Sequence, residues 1–72
     1  MKQEIVKVLM QDAQAKAAIA ITNINILLNN PTGVADHPDV MKTIQEQIDE
    51  VSKQQGRLSM LGQVFLEKDT NE

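Results

Sequence analysis

His37 is the only histidine of this 72-residue chain, and it stands between Asp36 and Asp39. An imidazole among carboxylates is the pattern of a metal ligand or a proton-transfer group. A metal or catalytic site needs several converging ligands, and here a second copy of the chain would have to supply the rest. The same three residues also make an ordinary polar first turn of a helix. Asn29, Asn30, Thr32, Asp36 and Asp39 could likewise form an oxygen-rich cation site. Their spacing lacks the alternating acids, glycine and distal glutamate of a calcium loop, and turn and cap chemistry accounts for all five. No serine and acid are arranged beside His37 as a triad, Gly33, Gly56 and Gly62 form no phosphate-cradling loop, and there is no cysteine. The inventory implies no catalytic residue, no metal site and no cofactor, and therefore no enzyme.

Composition narrows the partners. A net charge of −3 is opposite to what a nucleic-acid backbone attracts. One aromatic residue, Phe65, leaves no platform for stacking bases or sugars. The apolar start is interrupted by Lys7 and closed by Asp12, unlike a secretory signal. Ala17 to Leu28, the most apolar stretch, carries Thr22, Asn23 and Asn25 and is shorter than the roughly 20 residues a membrane span needs. The expectation is a soluble, cytoplasmic protein that binds neither nucleic acid nor membrane.

The elements that position these residues follow from periodicity. Val6, Met10, Ala13, Ala17, Ala20, Ile24 and Leu27 recur at alternating steps of four and three, an unbroken heptad seam. They predict a helix over 3–28. Asn29 and Asn30 tolerate the left-handed conformation that closes a helix, and Pro31 cannot continue one. Thr32-Gly33 supplies a turn, Asp36 a cap for the next helix, and Pro38 suits its first turn. The hinge is placed at 29–36, a second helix at 37–66, and a frayed polar tail at 67–72. Gly56 could instead break the second helix.

The seam assigned to the second helix is Met41, Ile44, Ile48, Val51, Gln55, Leu58, Gly62 and Phe65. Folded back at the hinge, Leu27 faces Met41, Ala20 faces Ile48, Ala13 faces Gln55 and Val6 faces Gly62, all in one register. The fold class is all-α, an antiparallel two-helix hairpin of one domain. Gln55 is the one polar residue of that seam; it either sets register, as single buried amides do in coiled coils, or reaches past Ala13 to solvent. The four methionines read as initiator and core fillers rather than an adaptable surface.

The seam does not use the apolar residues up. Val8, Leu9, Ala18, Ile19, Ile21, Ile26 and Leu28 lie off it, and Met60, Leu61, Val64 and Leu66 widen the apolar face of the second helix. A monomer would expose a larger contiguous apolar patch than ordinary proteins carry. These eleven residues are the expected interface. Homo-oligomerisation covers them most simply, as a dimer forming a four-helix bundle or as a larger helical oligomer; an unidentified host or phage protein is the alternative. A further alternative is a small ligand, such as a nucleotide signal, held between hairpins near Asn23, Asn25 and Gln55 or at the hinge.

One stretch carries a resemblance. Asn30-Pro31-Thr32-Gly33-Val34 followed by Ala35-Asp36-His37-Pro38-Asp39, between amphipathic helices, resembles short helical-hairpin proteins of large tailed phages, including those of marine cyanobacteria. The similarity covers about half the chain, from Asn23 into the second helix. It implies a phage accessory protein and assigns no activity to particular residues. Some small phage hairpin proteins oligomerise and sequester cyclic nucleotides; the aromatic and basic pair such a site would need is missing from this sequence.

Overall fold

The computed structural model describes residues 1–30 and 38–67. It contains helix α1, Lys2–Leu28, helix α2, Pro38–Met60, and a π-helical turn, Leu61–Phe65, that continues α2. Among the described residues there is no strand. The chain is an all-α hairpin, 56 × 22 × 14 Å. Its thinnest dimension is close to the roughly 10–12 Å diameter of one helix with its side chains. Among the described residues the hairpin is two helices wide and one deep, and no third element covers either side of it.

At the start of α1 the Ile5 amide donates to the Met1 carbonyl at 3.0 Å, and the terminal ammonium lies 3.8 Å from the Glu4 carboxylate. An acid in the first turn favours the positive end of the helix dipole. At the other end the expected left-handed closure is not formed. Asn29 has φ −93° and ψ 10°, and no described non-glycine residue has positive φ. Instead the Asn29 side-chain amide donates to the Asn25 carbonyl at 2.8 Å, its backbone amide donates to the same oxygen at 3.1 Å, and the Asn30 amide donates to Leu27 at 3.3 Å. The asparagine closes the helix with its side chain rather than by reversing its backbone, which meets the same orphan carbonyls without a left-handed residue. Pro31, the Thr32-Gly33 turn, the Asp36 cap and His37 lie outside the described residues, as does 68–72 of the tail.

All seven residues of the α1 seam face α2. Val6, Ala13, Ala17 and Ala20 are buried, and Met10, Ile24 and Leu27 are half-buried. On α2 the seam differs from the sequence expectation. Ile44, Val51 and Leu58 are half-buried as expected, but Met41 and Ile48 are 57% and 49% exposed, and Gln55 and Phe65 are exposed too. Their places are taken by the residues one earlier or four earlier in the chain, namely Val40, Gln47, Gln54 and Leu61. The resulting seam of Val40, Ile44, Gln47, Val51, Gln54, Leu58 and Leu61 keeps alternating steps of four and three.

The physical reason lies in the alanines. Ala13, Ala17 and Ala20 form a shelf that lets a partner backbone come close, and a long side chain can lie flat along it. Gln54, on the face of α2 turned to α1, is 1% exposed, its amide buried with its stem. Its amide donates to a Glu50 carboxylate oxygen at 2.7 Å and accepts from Arg57 at 3.4 Å. Gln47 accepts from the Asn23 amide at 3.3 Å. Among the described residues no buried side-chain nitrogen or oxygen lacks a hydrogen-bond partner, as stable interiors require.

Helix α2 passes through Gly56 unbroken, with open space where a β-carbon would stand. The irregularity comes later. The Leu66 amide donates to the Leu61 carbonyl at 2.8 Å, a wider loop than the α pattern, and Leu66 turns to extended backbone. Gln3 of α1 clasps this end. Its amide donates to the Phe65 carbonyl at 3.2 Å, and its oxygen accepts from the Glu67 amide at 2.8 Å. One side-chain amide thus satisfies two main-chain groups that the end of a helix leaves open.

Candidate interaction surface

Eight of the eleven residues expected at an interface are large apolar side chains that stand exposed in the hairpin: Val8, Leu9, Ile19, Ile21, Ile26, Leu28, Met60 and Val64. Ala18 is exposed as well, whereas Leu61 and Leu66 are half-buried. Leu61 belongs to the intramolecular seam, so its side chain is shared between the hairpin's own packing and the surface. Ile5 was not among the eleven and is 53% exposed beside Val8 and Leu9.

These exposed residues are not scattered around α1. Met1, Ile5, Val8, Asp12, Ala15, Ile19, Thr22 and Ile26 recur at steps of four and three, a second heptad row running the length of the helix. All eight are exposed. At about 100° per residue the row is centred roughly 140° around the helix from the buried seam. It points away from α2, so the chain's own second helix cannot cover it. The row was readable in the sequence by starting the four-three count at Met1; counting only from Val6 leaves its members as a remainder with no order.

Two hollows lie on this row. One is formed by Met1, Glu4, Ile5, Val8 and Leu9, the other by Ala18, Ile19, Thr22 and Asn23, about 350 and 240 Å³. Met1, Glu4, Ile5 and Val8 have the spacing of the four residues that form a hole for a side chain of a facing helix. Between the hollows the row is polar: the Lys16 ammonium lies 3.0 Å from the Asp12 carboxylate, and both side chains are about half exposed.

A third depression, about 540 Å³, opens between the helices and is lined by Leu9, Asp12, Lys53, Gly56, Arg57, Met60 and Leu61. Its apolar floor is bordered by two cations. Both already have partners. Lys53 lies 3.5 Å from Glu50, and Arg57 donates to Gln54. The hydrogen bond from Gln54, and then the charge of Lys53, hold the Glu50 carboxyl below its ordinary value of 4.5, with partial burial opposing.

The other residues singled out by type do not converge. Gln55 is exposed and stands about two turns along α2 from the level of Asn23, so the two do not line one pocket. The Asn25 carbonyl serves the helix end. Thr22 borders the second hollow. Asp39 lies in the first turn of α2, where its carbonyl accepts from the Thr43 hydroxyl at 2.9 Å. Among the described residues no three His, Cys, Asp or Glu side chains are grouped to hold a metal ion, and no helix is long and apolar enough to cross a membrane. Asp36 and His37 lie outside those residues. No family model, no curated protein and no solved structure matches the chain.

Proposed function

We propose that this chain is a non-enzymatic, self-associating helical hairpin that works through protein–protein contact, in the phage-accessory setting that its hinge sequence implies. The observation that carries this is the second heptad row on α1, exposed along its whole length and turned away from α2. A heptad row is the sequence form of a helix–helix contact, and apolar side chains kept in such order from Met1 to Ile26 specify a facing helix better than they specify a solvent boundary. Two hairpins joined in this way make four helices, the simplest assembly that covers the row.

Light scattering behind size exclusion tests it, with wild type compared against Ile19→Glu. Wild type elutes at a multiple of the 8.0 kDa chain mass, and the charged variant dissociates while keeping its helical circular dichroism. A wild-type monomer at the concentrations used for structural work sinks the proposal.

The groove bordered by Lys53 and Arg57 supports a second reading, a binder of a small ligand with an apolar body and an anionic group. Thermal-shift screening with short-chain fatty acids and with cyclic and linear nucleotides tests it, because a ligand bound only by the folded chain raises the melting temperature. A flat response across both series removes it.

A further inference from the structure

We infer that the partner of the α1 outer row is a second copy of this chain running antiparallel, about a twofold axis that crosses α1 between Asp12 and Ala15. This rests on self-association as proposed above and adds its geometry.

Charge decides the direction. In a parallel, in-register pair Asp12 would face Asp12 of the second copy, with Lys16 beside Lys16, in the middle of a row that is otherwise apolar. Like charges placed together across an interface are strongly disfavoured. In the antiparallel pair Asp12 of each copy lies beside Ala15 and Lys16 of the other. The two intrahelical pairs, each 3.0 Å apart, then become one alternating ring of four charges. Ala15, the smallest residue of the row, stands opposite Asp12 and leaves room for the carboxylate and the neighbouring lysine stem.

The same axis fixes the pairing: Val8 meets Ile19 of the second copy, Ile5 meets Thr22 and Met1 meets Ile26. The hollow at Met1, Glu4, Ile5 and Val8 lies opposite the hollow at Ala18, Ile19, Thr22 and Asn23 of the other copy, so the side chains that line each are the ones that must fill the other. The same patch serves on both copies, as a twofold contact demands.

The chain has no cysteine, so engineered thiols report the geometry directly. The variant Val8→Cys, the variant Ile19→Cys, an equimolar mixture of the two, and the double variant V8C/I19C are oxidised and run without reductant. In the antiparallel pair the two copies of position 8 are eleven residues apart along the axis, about 16 Å, far beyond disulfide reach. The single variants therefore stay uncross-linked, while the mixture and the double variant give covalent dimers. Efficient cross-linking of each single variant with itself overturns the antiparallel direction. Absence of any cross-link in a protein that is dimeric by light scattering overturns this contact but leaves self-association standing; a monomer overturns both. A thiol-free check is charge exchange: D12K weakens dimerisation by about tenfold or more, and D12K/K16E restores it. Failure of the double exchange to restore the dimer counts against the charge ring.

Discussion

Replacing Gln54 separates what its stem contributes from what its amide contributes. The side chain is 1% exposed on the alanine shelf, and its amide makes one short bond to Glu50 and one long bond to Arg57. Gln54→Ala removes one buried methylene, about 0.8 kcal/mol, and the hydrogen bonds, about 1–1.5 kcal/mol net. The expected loss is about 2 kcal/mol. Gln54→Leu keeps the length of the stem and puts two methyl groups where the amide was. Their burial, about 1.6 kcal/mol, offsets the lost hydrogen bonds, and the groups left behind remain within reach of water. The leucine variant should therefore fall within about 0.5 kcal/mol of wild type. For a chain of this size about 1 kcal/mol corresponds to roughly 4–8 °C, so the two variants should melt about 8–16 °C apart at equal concentration. Urea unfolding followed by circular dichroism at 222 nm gives the same difference as a free energy. If the leucine variant is as unstable as the alanine variant, the amide rather than the stem holds the position, and the account of the shifted α2 seam fails.

The Glu50 carboxyl is held below its ordinary value in the folded chain, so its contribution is present above about pH 4.5 and is lost as pH falls through the lowered value. Glu50→Gln should flatten the acid limb of the stability–pH curve below pH 4.5 and leave the curve's shape above pH 6 unchanged; an unchanged acid limb would refute this. Gly56 is α-helical, with open space where a β-carbon would be added. Gly56→Ala should stabilise by about 0.5–1 kcal/mol, read as a shift in the urea midpoint, and a destabilised variant would contradict an unbroken α2. Gln3→Ala removes the clasp on Phe65 and Glu67. Amide exchange at Leu66 and Glu67 should accelerate at least tenfold while that of the Ala13–Ala20 amides stays within about twofold.

Much of the fold was legible because two kinds of signal agreed. The α1 seam has apolar or small residues at every four-three step, and all seven positions face α2. For α2 the signal was split. Ile44, Val51 and Leu58 belong to either of two interleaved rows, and the choice between the rows rested on apolarity alone. That criterion selected Met41 and Ile48 and rejected Gln47 and Gln54. It misled because a glutamine opposite small alanines can be buried whole when its amide is bonded within its own helix, as Gln54 is, while Met41 and Ile48 stay exposed on the flank. The π-helical turn left no mark in the sequence beyond Gly62, since its wider loop depends on contacts at the far end of α1. Of the candidate surface, the apolar residues were recognisable singly. Their order as a second heptad row is in the sequence too, in the four-three count that starts at Met1 and not at Val6.

The π-helical turn has a directional consequence. A wider turn holds one more residue than the α-helix it interrupts, and one residue corresponds to about 100° of rotation. Leu66 and Glu67 therefore leave the hairpin on a bearing set by a single residue's worth of extra chain between Leu61 and Phe65. Deleting one residue there would restore a regular helix and swing the exit by more than a quarter-turn, with no change in the composition of either helix face. The heading of the described chain at Glu67 is thus set by that turn and not by the register of either helix.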